Sequence, residues 1–250
     1  MLRHLCYFVL LLVSCSQMVL SDQKLQTFSS GVKKIPLIEL YTSEGCSSCP
    51  PADRWLSKLV TESDLWNRYV PIAFHVDYWD YIGWQDPFAD PSHSTRQRQY
   101  RQQGNTKGVY TPGVVFMGQE WRTWYLNKEI PSVDWSDVGD LQVNIQDDIA
   151  RVIFKPTEKL SEKLRVNFSV VGFDLTSDVS RGENRGKKLT HNFVNLARVS
   201  MLSSINNSEY QWELKIPSKL KAEAKKLGYV VWISGKNTLQ PIQSVGGWKN

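Results

Sequence analysis

The chain has 250 residues, a formal net charge of +5, 41% hydrophobic residues and four cysteines. That is length enough for one large or two ordinary domains with real cores, and too little sulfur for a scaffold of several disulfides, so burial must hold the fold. Charges of both signs are mixed along the sequence instead of being gathered on one basic face, which argues against nucleic acid as a partner.

In chain order, residues 1–21 read as an export signal. Arg3 and His4 make a short polar start, residues 5–13 an apolar run, and small or polar residues follow. The run stops well short of the ~20 residues a membrane span needs. Two processing routes fit. Leu12-Val13-Ser14-Cys15 resembles a bacterial lipobox, which would lipidate Cys15 and anchor the protein to a membrane, whereas Val19-Leu20-Ser21 resembles an ordinary signal-peptidase site. Both routes imply a periplasmic or secreted protein.

Beyond the signal, residues 35–41 have the pattern of a buried strand. Residues 52–60 place Ala52, Trp55, Leu56, Leu59 and Val60 on one face of a helix. Residues 70–76 predict a second strand, parallel to the first because a helical crossover joins them. Asp90-Pro91 reads as an N-cap with proline at the first helical position, opening a polar helix through Gln103 that Gly104 ends. Thr111-Pro112 leads into a strand over 114–117 and the turn Gly118-Gln119. The pattern changes across residues 127–140. After it come alternating strands at Leu141/Val143/Ile145, Leu164/Val166/Phe168/Val170 and Tyr210/Trp212/Leu214/Ile216, with two more over 193–202 and 229–233 and a short helix over 218–228. The expected organisation is therefore an α/β domain over 33–130 and an all-β, sandwich-like domain over 138–250.

The chemistry-bearing motif is Cys46-Ser47-Ser48-Cys49. Two thiols separated by two residues, between a strand and a helix, read as a redox-active dithiol, with Cys46 the more exposed thiol and nucleophile and Cys49 the resolving thiol. Cys49 and Pro50 each precede a proline, which disfavours helical backbone there, so the helix is expected to open at Pro50 or Pro51. Glu44, if close, would raise the thiol pKa. His75 and Asp77 fall on one face at the carboxyl end of the second strand, on the sheet edge that carries the cysteine loop. They are candidates for a proton relay to Cys49, with His75 alternatively a third metal ligand beside the thiolates; a structural hydrogen-bonded pair is the plainer reading of both. Trp79 and Trp84 are candidate walls of a substrate groove, or caps of a core. The run Arg96-Gln97-Arg98-Gln99-Tyr100-Arg101 reads as a solvated helix face. Gly182-Glu183-Asn184-Arg185-Gly186 reads as a tight turn from which His191 could reach the dithiol, a plain polar hairpin being the alternative.

Ile38-Glu39-Leu40-Tyr41-Thr42 followed by Cys46 and Cys49 resembles the opening strand and active-site loop of glutaredoxins. Thr111-Pro112-Gly113-Val114-Val115-Phe116 resembles the later strand of that superfamily, which implies a cis bond at Pro112 facing the dithiol and a groove formed by Thr111 and Pro112. More closely, YTSEGCSSCPPAD, FHVDYWDYIGWQDPFADP, VYTPGVVF and GENRGKKLTHN resemble a bacterial family of exported, thioredoxin-like proteins known as a domain of unknown function. The resemblance implies the fold and the dithiol and lends no reaction.

The expected activity is thiol–disulfide exchange with a protein or small-molecule partner, with no cofactor and no metal site. Two other classes stay open: copper(I) or other metal handling by the thiolates, and a binding module whose Cys46–Cys49 disulfide is structural.

Overall fold

The computed structural model describes residues 25–126, 129–203 and 209–250. The export signal, with Cys6 and Cys15, lies outside the described residues. Within them are fourteen strands and two α-helices. In chain order these are β1 (Gln26–Ser29), β2 (Leu37–Thr42), α1 (Pro50–Lys58), β3 (Val70–His75), α2 (Pro91–Gln102), β4 (Gly113–Phe116) and β5 (Gln119–Glu120), then β6 (Gly139–Gln146), β7 (Ile149–Pro156) and β8 (Leu164–Phe173). The rest are β9 (Leu175–Asp178), β10 (Lys188–His191), β11 (Val194–Leu202), β12 (Tyr210–Lys215), β13 (Lys226–Gly235) and β14 (Pro241–Trp248).

The expected fold class, an α/β thioredoxin-like domain followed by an all-β, sandwich-like domain, is overturned by the sheet topology. The protein is mostly β. One eight-stranded sheet, ordered β14-β13-β8-β11-β3-β2-β4-β5, draws strands from both halves of the sequence. β2 and β3 pair in parallel from Leu37↔Val70 to Thr42↔His75, but β3 does not end the sheet. Its other edge meets β11, where the Ala73 N–H donates to the Phe193 carbonyl at 2.8 Å. An open strand edge must find partners for its backbone groups, and β3 finds them about 120 residues downstream. Local periodicity carries no information about that pairing.

β8 and β13 explain how the sheet serves two cores. Val166, Phe168 and Val170 of β8, with Tyr229, Val231 and Ile233 of β13, pack against a four-stranded sheet ordered β1-β6-β7-β12 through Leu141, Val143, Val152 and Phe154. The alternate residues Val171, Phe173, Val230 and Trp232 turn the other way and join α1 and the β2–β3 strands in a second core. The segment read as a helix over 218–228 is irregular and runs into β13. Burying a single aromatic such as Trp232 stabilises the fold by about 3–5 kcal/mol relative to alanine.

α2 behaves as its sequence implies. Asp90 caps it, accepting from the Ser92 N–H at 2.9 Å, with Pro91 in the first turn, and Gly104 leaves it at φ +77°. The arginine run does not form a uniform solvated face, because Arg96 and Tyr100 turn inward. Arg96 makes a bidentate pair with Glu39 of β2, at 2.7 and 2.9 Å, and its guanidinium lies over Trp232. Among the described residues, no helix is long and apolar enough to cross a membrane.

Candidate functional site

The cysteine loop begins where β2 ends. The Cys46 N–H donates to the Ser43 carbonyl and the Cys49 N–H to the Cys46 carbonyl, each at 3.2 Å, winding the loop into the start of α1. α1 opens at Pro50, with two prolines in its first turn. Cys49 is its N-cap and keeps a helical backbone (φ −76°, ψ −38°) despite preceding a proline, its carbonyl accepting from the Ala52 and Asp53 amides.

Cys46 and Cys49 are free thiols, the only cysteines among the described residues. Both thiols are buried, Cys46 at 1% exposure and Cys49 at 0%, so the order expected of them holds only by a margin, while Ser47 and Ser48 between them face solvent. The sulfurs differ electrostatically. The Cys46 thiol is pulled down to about 6, first by the hydrogen bond from Cys49, which outweighs the opposing effect of burial, with help from Ser48 and Thr111. Cys49 moves the other way, raised well above the usual thiol range by burial, then by the hydrogen bond and charge of Cys46.

Thr111 and Pro112 sit opposite. The Thr111–Pro112 bond is cis, and Cys46 Sγ lies 3.8 Å from the Thr111 carbonyl and 3.2 Å from Ser48 Oγ. Trp79 adjoins them, its Nε1–H donating to Thr111 Oγ1 at 2.7 Å. Trp84 instead donates to Glu44 Oε2 at 2.8 Å, so it supports the floor of the loop. The backbone of Gly45 runs so close to Trp79 that a Cβ there would stand 3.0 Å from the Trp79 Cβ.

The segment read as a polar turn, 182–186, closes over the loop. Asn184 is fully buried and donates to the carbonyls of Glu44 and Cys46 at 2.8 and 2.9 Å. Glu183 accepts from the Ser47 N–H at 2.8 Å. Gly182, at φ +74°, lets the chain turn down here, where a Cβ would strike Ile82 at 2.9 Å. The arm thus holds the loop backbone on both sides of Cys46, while Thr111 and Ser48 lie against its sulfur.

Behind the dithiol lies a buried cluster: Glu44, Asp53, His75, Asp86 and His191. His75 Nδ1 meets Asp86 Oδ2 at 2.7 Å, and Asp86 also accepts from the Glu44 and Phe88 amides, both at 2.9 Å. Burial opposes the Asp86 charge, yet His75 and those amides hold its carboxyl below the usual range. His191 Nε2 lies 3.0 Å from Glu44 Oε1, and its Nδ1 lies 3.6 Å from Asp53 Oδ2. Burial works against a charged His191, and the Asp53 and Glu44 carboxylates overcome it, lifting its pKa to about 10. Asp53 is fixed by Thr42, whose Oγ1 donates to it at 3.0 Å.

Of the expected site residues, Cys46, Cys49, Thr111, Pro112 and Trp79 come together at the loop, and His75 lies in the cluster behind it. Asp77 does not join His75: β3 ends at His75, and the Asp77 carboxylate accepts from Ser94 of α2 instead. Asp53, Asp86 and Asn184 carried no assignment in the sequence. Asp53 alone had a usable signal, lying four residues after Cys49 and hence on the same face of the helix.

Residues 37–234 match the family described as "Protein of unknown function (DUF1223)". No curated protein matches. Among solved structures, the crystal structure of a protein from Agrobacterium tumefaciens is similar, with a TM-score of 0.63 and 20% identity, covering 86% of this chain and 94% of that one. HBP35 of Porphyromonas gingivalis is similar with a TM-score of 0.61 and 13% identity, covering 87% of this chain and 76% of its own. At such identities the likeness concerns the fold alone.

Proposed function

The chain belongs to the DUF1223 family, and we propose that it is a thiol–disulfide oxidoreductase acting on protein or small-molecule disulfides outside the cytoplasm. The observation that carries this reading is geometric: two free thiols share the turn from β2 into α1, and Cys46 Sγ lies 3.8 Å from the Thr111 carbonyl across the loop. The electrostatics agree in direction: the hydrogen bond from Cys49 lowers the Cys46 thiol, and burial raises that of Cys49. A disulfide closing so short a loop contributes little through chain entropy, which argues against a purely structural bridge. Locally, a dithiol at a strand-to-helix turn beside a Thr-Pro segment resembles the active sites of the glutaredoxin and thioredoxin superfamily. The likeness is confined to the site and does not extend to the fold. The N-terminal sequence supports export, with Cys15 as the lipid anchor if the lipobox route operates.

In the reducing direction, the Cys46 thiolate attacks one sulfur of the substrate disulfide. The substrate S–S bond breaks, a Cys46–substrate disulfide forms, and the first substrate thiolate takes a proton from solvent. Cys49 then attacks Cys46 Sγ and its proton passes to the departing second sulfur, leaving a Cys46–Cys49 disulfide and two reduced substrate thiols. Oxidation of substrate dithiols is the same sequence reversed. A lowered Cys46 pKa stabilises the dithiol form, which raises the reduction potential and favours that reverse direction.

Trapping tests the proposal. Cys49→Ser should accumulate mixed disulfides that dithiothreitol releases and that the Cys46→Ser variant does not form. If neither variant traps a partner, and the purified wild-type protein exchanges with disulfides no faster than a free thiol, the reading fails.

A further inference from the structure

We propose that Asp53, His75 and His191 form a binding site for one divalent metal ion of the zinc class, tying α1, β3 and β10 together behind the dithiol. The inference goes beyond the thiol chemistry and does not depend on it. One ligand atom from each residue lies within 4.8 Å of the other two, and all three side chains are buried.

The histidines are arranged as metal ligands are. Each presents one nitrogen to a carboxylate, His75 Nδ1 to Asp86 at 2.7 Å and His191 Nε2 to Glu44 at 3.0 Å. Such a partner fixes the tautomer and turns the other nitrogen's lone pair toward the metal position. Those other nitrogens, His75 Nε2 and His191 Nδ1, are buried with no hydrogen-bond partner among the described residues. An unpartnered buried polar atom is costly, and two of them converging on one carboxylate call for something to share. A divalent cation takes the place of the proton that Asp53 and Glu44 otherwise hold on His191, releasing it to solvent, and it satisfies both nitrogens and Asp53 at once while offsetting the charge of three buried carboxylates.

Size and chemistry agree. At zinc–ligand distances of 2.0–2.1 Å, tetrahedral donors stand roughly 3.4 Å apart. The His191 Nδ1–Asp53 Oδ2 edge is already 3.6 Å, and the widest edge must contract by roughly 1–1.5 Å to meet that spacing. Two imidazoles and a carboxylate suit zinc better than copper(I), which favours sulfur. A cavity of about 180 Å³, lined by Asp53, His191, Arg54 and Lys188 among others, leads to the site, and the two cations at its mouth are solvent-exposed.

The test uses the full chain carrying Cys46→Ser and Cys49→Ser, so that no thiol binds metal. After chelation, reloading with zinc and desalting, this protein should retain one equivalent, and cobalt(II) in its place should give visible d–d bands without sulfur charge-transfer absorption. His191→Ala should abolish retention. Asp86→Asn, which removes no ligand, should weaken zinc binding about 10–100-fold. Failure of the cysteine-free protein to hold stoichiometric zinc overturns the proposal, as does zinc binding by His191→Ala equal to its parent's. If His191→Ala does not fold, the cobalt spectrum of the cysteine-free parent decides alone.

Discussion

The same sheet buries two polar networks, and they are built differently. Under α2, Arg96 and Glu39 pair through two hydrogen bonds, Tyr41 and Tyr100 donate to the same carboxylate, and no buried polar atom of Arg96 or Glu39 lacks a partner. Beneath the cysteine loop, Glu44, Asp53, His75, Asp86 and His191 hold three carboxylates against two imidazoles, and two ring nitrogens stay unpartnered. The first network is closed and its role is to join α2 to β2 and β13. The second is open, and it adjoins the dithiol and the arm from the second half of the chain. What sets the second network apart is that its two unpartnered ring nitrogens face the same carboxylate, whereas the other unpartnered buried atoms, such as Arg198 Nε and Trp212 Nε1, are scattered through the sheets.

The largest effect should come from breaking the closed network. Glu39→Leu leaves a buried guanidinium without its partner, and denaturant unfolding should show a loss of about 3–5 kcal/mol. Adding Arg96→Met should recover most of it, because a well-packed apolar pair replaces the ion pair at little cost. In the open cluster, Asp86→Asn should cost less, about 1.5–3 kcal/mol for one charge-assisted hydrogen bond in metal-free protein. Equal losses at the two sites would erase the distinction. Asn184→Ala should cost about 1–2 kcal/mol for two hydrogen bonds, and it should speed alkylation of Cys46 by iodoacetamide, since the arm no longer grips the loop. Unchanged alkylation would mean that the arm does not cover the thiol.

The smallest effect concerns proton balance at the dithiol. A lowered thiol pKa means that the thiolate is already half formed near pH 6, so alkylation of reduced Cys46 should fall away below that pH and level off above it. Ser48→Ala should move the midpoint upward by a fraction of a unit through loss of one hydrogen bond. A wild-type midpoint near 9 would show a thiol like any other.

Much of the local structure was legible in the sequence. The dithiol, the Asp90-Pro91 start of α2 and the strands of β6, β8 and β12 rest on spacing and capping, which are local. The fold class was not legible, because it turns on the edge of β3 meeting β11, a pairing that leaves no mark in either segment alone. The site was legible in the same uneven way. Cys46 and Cys49 announce themselves by spacing, whereas Asp86 sits in a loop between aromatics and Asn184 in what reads as a polar turn. Their importance comes from contacts spanning 11 residues to His75 and 138 to Cys46. Burial of Cys46 escaped for the same reason, since the Thr111 segment beside its sulfur and the Asn184 arm on its backbone arrive from elsewhere in the chain.

The central claim is that Cys46 and Cys49 are a working redox pair, and its most direct test is the equilibrium reduction potential of that pair in defined glutathione or dithiothreitol buffers, read by thiol labelling. The account predicts one reversible two-electron transition with a midpoint between about −270 and −120 mV, the range of dithiol enzymes. A midpoint below about −300 mV, the range of structural disulfides, would contradict it.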